Sequence, residues 1–240
     1  KEDGFDLVDD FSDLFGMNAA GTDAKMRNTK ESILEAQFTS GAGNWCTWMF
    51  GRDLVNWNNN FTWAKWVTPS RDLISAFKQE GDEVRFKESI VYYPSDNYPF
   101  MYKCRSANSS IIKYRYADVL LLKAEALIMQ DTPDLEGAAD IIDEVRDRAK
   151  LGALPTSVRS NKNVLLNALL KERRLELAFE GQRWFDLVRL DKVEEVMNAV
   201  YAKDSGRKAQ IYTFDKNSYR LPIPQSVIDA NDKIHQNPGY

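Results

Sequence analysis

The stretch from Glu172 to Leu190, ERRLELAFEGQRWFDLVRL, limits most strongly what this chain can fold into. Arg173, Glu176, Glu180 and Arg183 recur at spacings of three and four, which predicts one helical face of alternating charge. Leu175, Leu177, Ala178, Phe179, Trp184, Phe185, Leu187 and Val188 fill the other positions. A surface helix has no use for so many large apolar side chains, and a buried helix tolerates charge only when it is paired. The segment therefore predicts an ion-pair scaffold of Glu172, Arg173, Glu176, Glu180, Arg183, Asp186 and Arg189 inside a large helical assembly.

The rest of the second half reads as helical too. Tyr116 to Gln130 and Leu135 to Lys150 form two amphipathic segments around an Asp131-Thr-Pro-Asp134 turn. Ala138, Ile141 or Ile142, Val145 and Ala149 make the stripe of the second. This hairpin has the size of one tetratricopeptide unit, ~34 residues, and one unit cannot bury both faces alone. A third helix starts near Asn163 and runs into the charged segment. Asp191 to Tyr201 continues or restarts it, and the tail beyond is extended apart from a short helix near Ser226.

Residues 1 to about 115 are richer in turn formers. Leu7 to Phe15 is a short amphipathic piece, residues 32–38 read as a strand, and Ser70 caps a helix that Gly81 stops. Asp9-Asp10 and Asp82-Glu83 read as solvated loop charges. The predicted fold class is mainly α: an α/α superhelix of tetratricopeptide-like hairpins with a loop-rich region and few short strands. Residues 1–240 are read as one region, with 1–115 loop-rich, 116–201 the helical core and 202–240 an extended tail.

Five of the six tryptophans, Trp45, Trp48, Trp57, Trp63 and Trp66, crowd into one loop-like stretch with Arg52, Asn58, Asn59 and Asn60. Flat apolar faces beside planar hydrogen-bonding groups suit sugars, which present C–H faces ringed by hydroxyls. A loop-rich region also needs large side chains simply to make a core, and Trp63 and Trp66 fit that role. Trp45, Trp48, Arg52, Trp57, Asn58, Asn59 and Asn60 are the candidate glycan-binding residues.

Other chemistries find little support. One histidine, His235, gives no catalytic triad and no multi-histidine metal site. A net charge of −4 without a basic aromatic patch gives no reason to expect nucleic acid. No phosphate loop is present, so no cofactor is expected and no metal is assigned. Cys46 and Cys104 could form one bridge or stand as two thiols. Glycoside cleavage needs two carboxyl groups about 5–10 Å apart across a cleft. Glu172, Glu176 and Glu180 sit among arginines, which lower a carboxylate pKa and make a poor general acid. No catalytic residue is assigned.

Several motifs carry a family resemblance. Arg115-Tyr-Ala-Asp-Val-Leu-Leu-Leu-Lys-Ala-Glu-Ala126, Asp143-Glu-Val-Arg-Asp-Arg-Ala149, the segment Glu172 to Arg189, Leu221-Pro-Ile-Pro224 and Gln236-Asn-Pro-Gly-Tyr240 resemble, in order and spacing, the SusD/RagB family of outer-membrane nutrient-binding lipoproteins. Residues 31–38 and 68–77 fit more loosely. Asp82-Glu-Val-Arg85 stands where the family often has an Asp-Pro-Arg-like turn, here without the proline. The resemblance implies a helical fold and binding of oligosaccharides or polysaccharides without cleavage. It also implies partnership with a SusC-like TonB-dependent transporter and an outer-membrane location through an N-terminal lipid anchor outside this chain. It reads the chain as a C-terminal portion of such a protein. The alternatives are a structural or partner-docking module with no ligand site of its own, and a glycoside hydrolase.

Overall fold

A computed structural model of the chain describes residues 4–39, 43, 68–93, 97–106, 108–203 and 213–240. It is mainly helical, with a few short strands. The chain divides into two compact units, Lys1–Gly181 and Gln182–Tyr240.

In the first unit, α1 (Ser12–Phe15) is a single turn that buries Leu14 and Phe15, completing the apolar piece begun by Leu7, Val8 and Phe11. Strand β1 (Ser32–Ala36) follows. Helix α2 (Arg71–Glu80) starts where Ser70 Oγ accepts from the Leu73 amide at 3.0 Å. It ends at Gly81, whose φ of 67° is the left-handed conformation that glycine adopts without a Cβ clash. Asp82 then caps α3 (Glu83–Ser89), accepting from the Arg85 amide at 3.1 Å. Asp82 is buried, not a solvated loop charge as expected, because it caps that helix and pairs with Arg85 inside the unit.

Strands β2 (Ile90–Tyr93) and β3 (Tyr98–Met101) pair antiparallel in one ladder, and β4 (Ile111–Arg115) pairs antiparallel with β1 in another. The helical hairpin follows as α4 (Tyr116–Met129) and α5 (Leu135–Arg148), the latter capped by Asp134 at the Gly137 amide. The short α6 (Thr156–Arg159) leads to α7 (Lys162–Glu176), capped by Asn161. Leu120, Leu121, Ala124 and Ile128 of α4 pack with Ala138, Ala139, Ile142 and Val145 of α5 and with Leu165 and Leu169 of α7. Ile142 takes the core position and Ile141 packs at its edge. Leu7, far upstream, joins the same cluster.

The charged segment is not one helix. Helix α7 stops at Glu176, and Phe179 (φ 66°) and Gly181 (φ 84°) turn the backbone left-handed. A bulky residue with positive φ must be held by its surroundings. Phe179 packs against the cluster of Leu73, Ala76, Phe77, Ile90, Leu175 and Ala178, which holds it.

The second unit contains α8 (Arg183–Arg189), α9 (Val193–Lys203), a 3-10 turn (Lys216–Tyr219) and α10 (Gln225–Ala230). Phe214 stacks on Tyr201 with centroids 5.6 Å apart, and Asn198 clamps the Phe214 backbone amide and carbonyl, each at 2.9 Å. Gln236 clamps Ile223 in the same way, Asn237 donates to Leu221 O, and the Tyr240 hydroxyl reaches Arg220 O at 3.1 Å. The Leu-Pro-Ile-Pro and Gln-Asn-Pro-Gly-Tyr motifs are thus two sides of one backbone fastening.

Candidate functional site

The charges of the first unit converge on Glu176. Its Oε1 accepts from Arg115 at 2.5 Å and also from Arg148, and its Oε2 accepts from Arg85 at 3.0 Å. Glu172 accepts from Arg85 at 2.5 Å and from Arg146 at 3.2 Å. Glu31, which precedes β1, accepts from Arg115 at 2.7 Å and Arg148 at 2.9 Å. Glu180 is held by Arg115 at 2.7 Å and by Lys103 at 2.6 Å. Asp82 joins through Arg85, and Glu80 through Arg146 and Lys171. The connected cluster sets six acids (Glu31, Glu80, Asp82, Glu172, Glu176, Glu180) against six bases (Arg85, Lys103, Arg115, Arg146, Arg148, Lys171).

The scaffold residues named from the sequence therefore find partners far along the chain as well as within the segment. Arg173 pairs with Asp118 at 2.9 Å. In the second unit, Arg189 reaches Asp186 at 2.9 Å across three residues, and Arg183 opens α8. The sequence reading named none of Arg85, Lys103, Arg146 and Arg148 as partners. The signal was present in the Arg-x-Arg spacing of 146 and 148 and in the Asp82-x-x-Arg85 pair, but nothing local says which carboxylate each would meet.

Electrostatics follow from this geometry. Burial works against the charge of Glu176, yet Arg148, Arg115 and Arg85 hold its carboxyl well below the usual carboxylate range. Burial likewise opposes the charge of Glu180, and Arg115 and Lys103 pull its pKa down. At Glu172 and Asp82 burial prevails and raises the carboxyl. Lys103 is pushed down to about 8, because burial outweighs the pull of Glu180. Both oxygens of Glu172 and of Glu176 accept from guanidinium groups and both side chains are buried, so neither faces a substrate. The arrangement ties the ends of α2, α5 and α7 to α3, Glu31 and the start of α4. Among the described residues no group of three or more His, Cys, Asp or Glu side chains is placed to hold a metal ion.

Beside this cluster lies a cavity of about 430 Å³. Phe15, Met101, Ile111, Ile112 and Phe179 line most of it, and Lys103, Lys113 and Glu180 supply its charged groups. The candidate glycan residues Trp45, Trp48, Arg52, Trp57, Asn58, Asn59 and Asn60 lie outside the described residues, as does Cys46. Cys104 is buried and borders the cavity.

Comparison with known proteins supplies the lineage. The model of the SusD family matches residues 94–240, more than half of the chain. The chain belongs to the SusD family. SusD-like protein P2 of Formosa agariphila is 36% identical over 143 residues, which cover 57% of this chain and 27% of that relative. A SusD homolog of Bacteroides thetaiotaomicron superposes with a TM-score of 0.75 at 21% identity, covering 100% of this chain and 57% of its own length. Surface glycan-binding protein A of the same organism, solved in complex with laminarihexaose, gives a TM-score of 0.74 at 20% identity over 99% of this chain and 56% of that one. At these identities the structural likeness concerns the fold. The chain spans about a quarter of SusD-like protein P2 and just over half of the two structures. Among the described residues no helix is long and apolar enough to cross a membrane.

Proposed function

We propose that this SusD-family chain belongs to a non-catalytic cell-surface protein that binds oligosaccharides or polysaccharides and delivers them to a SusC-like TonB-dependent transporter. Its location on this reading is the outer membrane, held by an N-terminal lipid anchor. The observation that carries the reading is family membership across residues 94–240. A fold neighbour named as a surface glycan-binding protein with bound laminarihexaose supports it. The occupied carboxylates of Glu172 and Glu176 support binding without cleavage, since a glycosidase needs one acid free to protonate the leaving group.

The binding role falls on Trp45, Trp48, Arg52, Trp57, Asn58, Asn59 and Asn60, on the strength of their chemistry. Calorimetric titration with a glycan panel that includes laminarihexaose tests this. One glycan is expected to bind with an affinity that drops about 5- to 150-fold in Trp48→Ala or Trp57→Ala, if a sugar stacked on an aromatic ring contributes as a stacked base does, ~1–3 kcal/mol. Unchanged affinity in both variants moves the site elsewhere. No binding across the panel favours a structural or partner-docking module. Release of reducing ends, abolished by Glu176→Gln, would make the protein a hydrolase.

A further inference from the structure

Lys113 stands where the β1–β4 ladder slips. Leu34 faces Tyr114 while Glu35 faces Ile112, so Lys113 is the extra residue on its strand, with no opposite number. A bulge of this kind re-aims a side chain, and bulges concentrate beside functional sites. Here the bulged residue borders the 430 Å³ cavity, a volume within the range of small-ligand pockets. The lining also includes Phe179, with its left-handed backbone.

Charge on the lining is lopsided. Lys103 and Glu180 neutralise each other at 2.6 Å, and the cluster to which they belong balances six acids against six bases. Lys113 has no charged partner among the described residues. The cavity thus offers apolar walls and one uncompensated cation at an exposed edge. Ser110 Oγ is engaged by Arg27 at 2.9 Å, so the lining gives little to a ring of hydroxyls.

We propose that this cavity binds a monocarboxylate with an apolar aliphatic or aromatic body, whose carboxylate pairs with Lys113 and whose body lies against Phe15, Ile111 and Phe179. None of the residues named here belongs to the tryptophan segment, and the success or failure of this test is independent of the glycan reading.

Titration of the 240-residue chain with octanoate tests the proposal. One saturable site is expected. Lys113→Met should weaken it about tenfold, the value of one charge-assisted hydrogen bond. Lys113 is exposed, so this variant keeps the fold, and Lys123→Met on the exposed side of α4 should leave affinity unchanged. Filling the cavity with Ile111→Trp should abolish binding, with a circular-dichroism spectrum like wild type as the check on folding. Octanol should bind at least tenfold more weakly than octanoate. Absence of saturable octanoate binding, or equal affinity in Lys113→Met, overturns the proposal. Tighter binding of galacturonate than of octanoate also overturns it and assigns the cavity to an acidic sugar.

Discussion

Two clusters in the first unit use the same chemistry in opposite surroundings. Glu176 is one acid among three guanidinium groups, and its side chain is fully buried. Arg159 is one base among three acids, Glu136, Asp140 and Asp143, of which the first two are 72% and 68% exposed. Hydrogen bonds to Glu136 and Asp140 raise the Arg159 pKa, so by proton affinity alone both hubs look strong. Water separates them. Around Arg159 it solvates whatever is left unpaired and screens the attraction. Around Glu176 nothing replaces a lost partner, and the opposing charges face one another in a medium of low polarizability.

Removing the buried hub should therefore give the largest effect. Glu176→Ala leaves Arg85, Arg115 and Arg148 without their shared acid and is expected to destabilise the fold by ~3–5 kcal/mol. Chemical denaturation followed by circular dichroism measures it, and a midpoint equal to wild type would contradict the contrast drawn here. The cost of breaking such a cluster is not its net contribution, because assembling it also strips water from most of its charged groups.

Proton linkage sharpens the same contrast. The folded Glu176 carboxyl lies well below its ordinary 4.5, so the stability it supplies is present above pH 4.5 and is lost as pH falls through the folded value. Glu180 and Glu80 act in the same sense, while Glu172 and Asp82, raised by burial, act against it. The difference in stability between wild type and Glu176→Gln isolates the hub. It should shrink on acidification below pH 4.5, and a difference independent of pH would refute the assignment. Lys103 works at the other end of the scale. With a folded pKa of about 8 against an ordinary 10.5, it makes stability rise from pH 8 to pH 10.5. Measured against Lys103→Met, wild type should gain across that interval.

How much of this was legible in the sequence depends on the range of the interaction. The helix boundaries at Ser70, Gly81 and Asp134 were legible because caps and stripes are local. Strand β1 was legible, but its partner β4 was not, since nothing near Ser32 specifies a pairing with Arg115. The break at Phe179 escaped notice because a phenylalanine carries no turn signal; a distant apolar cluster imposes the conformation. Asp82 looked like a loop charge because its burial depends on Glu172 and Glu176, some ninety residues away, meeting Arg85. The charged segment announced that pairing must occur without saying with what. The aromatic residues proposed to bind glycan stand out by composition, and they lie outside the described residues.

The smallest effect belongs to the Arg159 hub, two of whose acids are exposed, and it is the one that could break the comparison. Arg159 touches three acids, against one in an ordinary surface pair, so additivity would predict a large loss for Arg159→Ala. Screening predicts otherwise. Glu136 and Asp140 regain full hydration when the guanidinium leaves, and the expected cost is about 0.5–1 kcal/mol, falling further in 0.5 M salt. Denaturation of Arg159→Ala at low and high salt measures both. A loss comparable to that of Glu176→Ala, unchanged by salt, would mean that the number of partners governs these clusters. A small, salt-sensitive loss beside a large one at Glu176 would mean that burial does.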